Sequence, residues 1–228
     1  MQRRGLIVDD DAAVCEMVGK AMTSAGMEAL TLTSSLKARG VLNDRKFDMV
    51  FLDLHMAAPD GIELARDTRH SRWNRTTPII LISDDQRPSA MSVGFEAGAS
   101  FFLYKPIDKD RLVKLIRAAQ GAAEYGRRRT RRVALHAKVK LTLEGEVVEG
   151  ETVDVSLNGM LIKAQRVLPA GSRVRLSLEL APKIKPIEGA GSVVRVWGGT
   201  QMGIQMDQLA AGESERLQEF LLPLISHE

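Results

Sequence analysis

The strongest constraint in the sequence is a change of hydrophobic period near residue 125. Before it, short unbroken apolar runs recur: Leu6-Ile7-Val8, Met49-Val50-Phe51-Leu52, Ile79-Ile80-Leu81-Ile82 and Phe101-Phe102-Leu103-Tyr104. A weaker run lies at Ala29-Leu30-Thr31-Leu32. Runs of this length suit strands buried on both faces, and the stretches between them suit crossover helices. After residue 130 apolar and polar residues alternate instead. Ala137, Val139, Leu141 and Leu143 interleave with Lys138, Lys140 and Thr142, and Val174, Leu176, Leu178 and Leu180 with Arg175, Ser177 and Glu179. Met202, Ile204 and Met206 repeat the pattern. Alternation with Gly and Pro between runs indicates antiparallel sheet, most simply a small barrel. The expected fold is an α/β doubly wound domain followed by an all-β barrel. A C-terminal helix follows from Leu217, Phe220, Leu221 and Leu224 at i, i+3, i+4 and i+7, with Pro223 expected to end or distort it.

Four of the N-terminal runs lead into a potentially reactive side chain. Leu6–Val8 leads into Asp9, Asp10 and Asp11, Met49–Leu52 into Asp53, Ile79–Ile82 into Ser83, and Phe101–Tyr104 into Lys105. In an open parallel sheet the strand C-termini share one edge, where ligands bind. The convergence of acids, a hydroxyl and an ammonium fits phosphoryl transfer. Mg²⁺ relieves the mutual repulsion of carboxylates, a carboxylate such as Asp53 can carry an acyl phosphate, and Ser83 and Lys105 can meet the new oxygens. Any one Asp at a strand end is more simply a turn former; the whole set is not.

With these residues in place, the sequence resembles the receiver domain of two-component response regulators. The matching residues are Leu6-Ile7-Val8-Asp9-Asp10-Asp11, Asp53-Leu54-His55-Met56 with Asp60-Gly61, Ile82-Ser83 and Lys105-Pro106. The resemblance implies a flavodoxin-like fold over residues 1–120. It implies that Asp53 accepts a phosphoryl group from a histidine kinase, that Asp9, Asp10, Asp53 and the backbone carbonyl of His55 hold Mg²⁺, and that Ser83 and Lys105 read the phosphorylated state. Phe102 matches the aromatic position that repositions on activation, and the Lys105-Pro106 peptide is commonly cis in the family. Two departures are Ala57 where the family usually has proline, and Asp84-Asp85 where a small residue commonly follows the hydroxyl. The added negative charge should oppose phosphate approach.

Further on, Arg127, Arg128, Arg129, Arg131 and Arg132 place five guanidinium groups in six residues. A solvated basic linker, a contact with nucleic acid or anionic membrane, and a grip on a small phosphorylated ligand are all compatible with such a run. Aromatics make up only 4% of the chain and none interleaves the arginines, which weakens a base-stacking platform. The third reading gains from Asp154-Val155-Ser156-Leu157-Asn158-Gly159. Asp154 and Ser156, two apart, point to the same side of an extended segment, and the glycine permits close backbone approach. Alone, this segment reads equally as an Asx turn.

Together the two elements resemble the PilZ domain, a bacterial receptor for cyclic di-GMP. Arg128 and Arg132, preceded by Arg127, supply one family motif; Asp154, Ser156 and Gly159 supply the other. The resemblance implies a six-stranded barrel with a C-terminal helix over residues 127–228, after a linker at 121–126. It implies that the arginines clamp the phosphates and stack on guanines, while Asp154 and Ser156 read a base edge. Trp197 is a further possible contact, against the simpler reading of packing.

Composition adds limits rather than a partner. Lys and Arg total 32 against 29 acids, a net +3 that names nothing by itself. The single cysteine, Cys15, excludes an internal disulfide framework and reads as a packing residue, and no apolar run approaches the ~20 residues of a membrane span. His55, His70, His136 and His227 lack metal-ligand spacing. The expectation is a cytoplasmic response regulator, not an enzyme. Its partners would be a histidine kinase, cyclic di-GMP and an unidentified downstream protein, with no nucleic acid, no membrane span and a possible homodimer. The alternative is a phosphorylation-controlled adaptor whose barrel binds a protein without nucleotide. The last receiver helix, through Leu112, Leu115 and Ile116, runs almost directly into the arginines, which suggests coupling between the two sites.

Overall fold

The structure is a computed structural model that describes residues 2–85, 87–124, 132–210 and 212–226. They form two compact units.

In the first unit every apolar run becomes a strand and every intervening stretch a helix. The order is β1 (Arg3–Val8), α1 (Ala12–Ser24), β2 (Met27–Leu32), α2 (Ser35–Asp44), β3 (Met49–Asp53), α3 (Gly61–His70), β4 (Ile79–Ser83), α4 (Pro88–Glu96), β5 (Phe101–Tyr104) and α5 (Lys109–Glu124). The strands pair in parallel in the order β2-β1-β3-β4-β5. Leu6–Val8, Val50–Leu52 and Ile79–Ile82 are fully buried, as unbroken apolar runs require of strands covered on both faces. The weaker run belongs to β2, an edge strand in which only Met27 is buried. The chain reverses its direction of travel across the sheet between β1 and β3, which opens a crevice beyond their C-terminal ends.

Helix starts follow the capping rules. Asp11 caps α1 through Ala13 N–H at 2.8 Å, and Asp60 and Glu63 form a reciprocal capping box on α3. Gly61 is required by crowding: a Cβ there would lie 2.1 Å from the Asp53 carbonyl oxygen. The helix start thus presses against the end of β3. Helix α5 carries on through residues 121–124, the first four of the expected linker; residues 125–126 lie outside the described residues.

The second unit comprises β6 (Val133–Ala134), β7 (Lys138–Leu143), β8 (Glu146–Ser156), β9 (Gly159–Ala164), β10 (Arg173–Glu179), β11 (Ile187–Trp197), β12 (Gln201–Leu209) and α6 (Glu213–Ser226). The order is β6-β8-β7-β10-β11-β12-β9, and β8 also pairs with β9. Six strands therefore close into a barrel, and two-residue β6 is an appendage on β8. The alternating set points inward: Val139, Leu141, Val174, Leu176, Leu178, Met202, Ile204 and Met206 are all buried.

The terminal helix forms but does not stop at Pro223. Its missing N–H forgoes one hydrogen bond to the preceding turn, and the helix nevertheless continues to Ser226, held by its packed face. The buried stripe is Leu217, Gln218, Leu221, Leu222 and Ile225, whereas Leu224 is exposed, contrary to the periodicity argument. No helix is long and apolar enough to cross a membrane among the described residues.

Candidate functional site

The crevice of the first unit brings together the residues expected there. Asp9 follows β1 and is fully buried; Asp53 ends β3 and is 3% exposed; Asp10 is exposed at the mouth. Each of the three offers a carboxylate oxygen within 4.8 Å of the others. Lys105, just after β5, reaches in: its Nζ lies 3.0 Å from Asp53 Oδ1 and 3.1 Å from Asp9 Oδ2. The ammonium hydrogen-bonds Asp9 Oδ1 at 3.3 Å, so the approach to Oδ2 is an ion pair without hydrogen-bond alignment, and Oδ2 is left buried with no hydrogen bond. Asp11 takes no place in this cluster, because its side chain caps α1.

The electrostatics follow from this crowding. Burial, with a further push from Asp53, raises the Asp9 carboxyl above its ordinary value despite a hydrogen bond from Asp11 N–H and the nearby ammonium. Burial works against the Lys105 charge, but hydrogen bonds to Asp53 and Asp9 overcome it and hold the ammonium above its usual value. Three carboxylates against one ammonium leave two formal negative charges. That donor set, with a buried oxygen lacking a hydrogen bond, fits a hard divalent cation held by Asp9, Asp10 and Asp53.

Ser83 ends β4 fully buried, and its Oγ accepts the Asp85 N–H at 2.9 Å, which fixes the oxygen and leaves the hydroxyl proton to donate. Phe102 is buried, its ring 4.9 Å from that of Tyr104, and Gly94 of α4 lets it come close. The Lys105–Pro106 peptide is cis. His55 is exposed, with Nε2 3.9 Å from both Asp84 Oδ1 and Asp85 Oδ2. Sequence reasoning noted those two acids but not the imidazole facing them, since the β3–α3 and β4–α4 loops meet only in the fold.

In the second unit β6 lies against the end of β8, with Val133 opposite Val155 and Ala134 opposite Asp154. This pairing carries Arg132 to Asp154, and Nη1 meets Oδ1 at 2.5 Å. A Cβ on Gly159 would sit 3.7 Å from Arg132 Nη2 and only 2.6 Å from the Ile204 carbonyl oxygen, so the glycine is demanded by strand approach. Arg132, Asp154 and Gly159 are therefore neighbours. Ser156 is 1% exposed and donates to Gly159 O at 2.9 Å and Asn158 Oδ1 at 3.1 Å. Its hydroxyl is engaged in the turn. A register shift lies just upstream, between Thr152 and Asp154, whereas Asp154, Val155 and Ser156 pair in regular register with Leu161, Met160 and Gly159. Arg127 and Arg128 lie outside the described residues. Trp197 is 42% exposed, lies over Gly203 and has the Arg195 guanidinium 5.5 Å from its ring centroid.

The parallel sheet with its acid–lysine crevice defines a receiver domain, and the closed barrel with its arginine–aspartate pair defines a second, ligand-binding class of module. The family models agree: residues 6–117 match the response regulator receiver domain and residues 126–222 the PilZ domain. The chain is a response regulator that joins a receiver domain to a PilZ domain. It is 34% identical over 113 residues to the phosphate regulon transcriptional regulatory protein PhoB of Pseudomonas aeruginosa, covering 50% of this chain and 49% of that one. It is 31% identical over 158 residues to the transcriptional regulatory protein GlrR of Escherichia coli, covering 68% of this chain and 35% of that one. The chain thus spans half or less of these curated relatives. Among solved structures, a protein assigned as a response regulator from Chloroflexus aurantiacus superposes with a TM-score of 0.50 at 30% identity, over 53% of this chain and 98% of its own. A CheY-like receiver protein from Methanospirillum hungatei gives 0.51 at 20% identity, over 55% and 98%.

Proposed function

We propose that Asp53 accepts a phosphoryl group from a histidine kinase and that the PilZ barrel binds cyclic di-GMP, so that one chain reads two signals and passes them to a downstream protein. The observation that carries the first half is the position of Lys105 Nζ, 3.0 Å from Asp53 Oδ1 in a crevice otherwise lined with acids. Asp53 Oδ attacks phosphorus, the leaving group departs, and the acyl phosphate oxygens take their charge partner from Lys105 and a donor hydrogen bond from Ser83. A Mg²⁺ ion on Asp9, Asp10, Asp53 and the His55 carbonyl would supply charge neutralisation during transfer. Phosphoryl acceptance and its hydrolysis are the only covalent steps in this reading; the chain acts as a switch rather than as an enzyme.

The second half rests on Arg132, which the Asp154 carboxylate holds beside Gly159. In this reading Arg132 joins Arg127 and Arg128 to grip the ligand phosphates, and Asp154 exchanges its ion pair for the N–H edge of a guanine. Ser156 shapes the turn that presents Asp154 and Gly159. Helix α5 ends eight residues before Arg132, so a phosphorylation-dependent shift of α5 would alter how the arginine segment is presented. Calorimetric titration of cyclic di-GMP, with and without beryllofluoride on the receiver, tests the proposal. Binding that changes with beryllofluoride supports coupling. Binding that does not change removes it, and no binding at all leaves the adaptor that recognises a protein without nucleotide.

A further inference from the structure

A second charged surface lies at the opposite end of the receiver from the crevice. The α2–β3 and α3–β4 loops precede β3 and β4, and so occupy the N-terminal edge of the sheet. Here Arg45, Arg66, Arg72 and Arg75 are all exposed, and Trp73 is 43% exposed among them. None of the four arginines has a carboxylate partner among the described residues. Of the acids on this rim, Asp67 is paired with Arg39 at 2.7 Å, Asp48 accepts the Arg4 N–H at 2.8 Å, and Asp44 is exposed.

The loop that carries Arg72, Trp73 and Arg75 is pinned from beneath. Ser71 Oγ donates to Leu42 O at 3.0 Å, and Asn74 Nδ2 donates to Leu42 O and Arg45 O, both at 2.7 Å. Asn74 Oδ1 accepts Phe47 N–H at 2.8 Å, and Thr77 Oγ1 donates to Phe47 O at 2.9 Å. Arg69 threads the same loop, donating to Thr77 O at 2.7 Å and to Gly98 O at 2.6 and 2.9 Å. Every third residue of 71–77 faces inward and is spent on hydrogen bonds, so the residues between them are held outward. Such presentation spares the ordering cost of a mobile basic tail.

We propose that this edge docks the receiver on an anionic lipid headgroup layer. Unpaired guanidinium groups supply attraction to phosphate, and an exposed indole among them is the amphipathic ring that settles at a membrane–water interface. A single-stranded nucleic acid fits less well, because stacking platforms use successive aromatics. Trp73 is the one exposed aromatic of this edge, and the Arg72 guanidinium already covers its ring at 4.3 Å from the centroid.

The test is co-sedimentation of the full-length protein with phosphatidylcholine vesicles containing or lacking phosphatidylglycerol. Binding is expected only to the anionic vesicles and to weaken with added salt. Each arginine lost should cost about five-fold in partitioning, hence about 25-fold for the Arg72→Gln, Arg75→Gln double variant. Trp73→Ala should weaken binding too, and an Arg128→Gln, Arg129→Gln variant should retain most of it. All the substituted loop side chains are exposed, so the urea midpoint should not move. Equal binding to neutral vesicles, or unchanged binding of the loop variants, overturns the proposal. So does a loss confined to the Arg128, Arg129 variant, or a preference for a single-stranded oligonucleotide that the loop variants abolish.

Discussion

Lys105 Nζ bridges Asp53 Oδ1 at 3.0 Å and Asp9 Oδ2 at 3.1 Å, one ammonium shared by the proposed phosphoacceptor and a proposed metal ligand. The three residues sit at the C-terminal ends of β1, β3 and β5, which share one edge because the strands of the sheet run parallel. Asp53→Asn should therefore abolish labelling by acetyl phosphate. Lys105→Met should keep the nucleophile but lose a donor to the transferring group, slowing labelling by about 10²-fold. Phosphate-affinity electrophoresis over time measures both.

The same crowding makes a prediction about pH and metal. Because the folded state raises the Asp9 carboxyl, it holds that proton more tightly than the unfolded chain does. Stability attributable to Asp9 therefore falls as pH climbs from about 4 towards its raised folded value, the reverse of an ordinary paired carboxylate. In the absence of Mg²⁺, urea melts of Asp9→Asn should show a flatter dependence than the parent over this window. Adding Mg²⁺ should stabilise the parent and leave the variant nearly unmoved. A variant with the parent's slope and the parent's metal response would show that Asp9 is not the strained group.

In the barrel, Asp154→Ala and Arg132→Ala should each weaken cyclic di-GMP binding by about 10- to 100-fold, the usual worth of a hydrogen bond to a charged group. Ser156→Ala should act differently. Its hydroxyl bonds Gly159 O and Asn158 Oδ1 in a buried turn, so the loss should appear as about 1 kcal/mol of stability before it appears in affinity. Titration calorimetry alongside thermal melts separates the two effects.

Arg69 is a half-buried cation whose partners are carbonyl oxygens of Thr77 and Gly98 rather than an acid. Burial pushes its guanidinium down to about 10, which still leaves it charged at neutral pH. Arg69→Met should cost about 2–4 kcal/mol by leaving several carbonyls unsatisfied. Arg69→Lys should recover only part, since one ammonium cannot span both loops as the planar fork does. The urea midpoint of the receiver transition reports the order.

Arg69 also marks the limit of what the sequence discloses. In Arg66-Asp67-Thr68-Arg69-His70-Ser71-Arg72-Trp73-Asn74-Arg75 it is one arginine among four. What turns this one inward is a pair of carbonyls that meet only in the fold, those of Thr77 and of Gly98, the latter distant in sequence. The strands were readable because burial on both faces demands unbroken apolar runs, and the crevice was readable because four of the five runs lead into one of its residues. The barrel's alternation was equally plain except across the register shift between Thr152 and Asp154, where side-chain parity cannot be carried from one side to the other. At Pro223 a local rule predicted an end or a distortion; the helix runs on to Ser226, its packing along the buried stripe outweighing the lost hydrogen bond.

The closure of the barrel has a consequence for synthesis. Strand β9 takes one neighbour, β8, from the residues just before it, and the other, β12, from residues 201–209. The backbone that lies against Gly159 is that of Ile204 and Gln205. Arg132, Asp154 and Gly159 emerge from the ribosome well before that strand exists, so their binding surface has no floor until residues 201–209 have followed. The receiver needs nothing beyond α5 to complete its own sheet. During the interval a nascent chain can hold a finished phosphoryl switch while its nucleotide sensor is still an open sheet with an unpaired edge, the state in which strand-edge aggregation is the hazard.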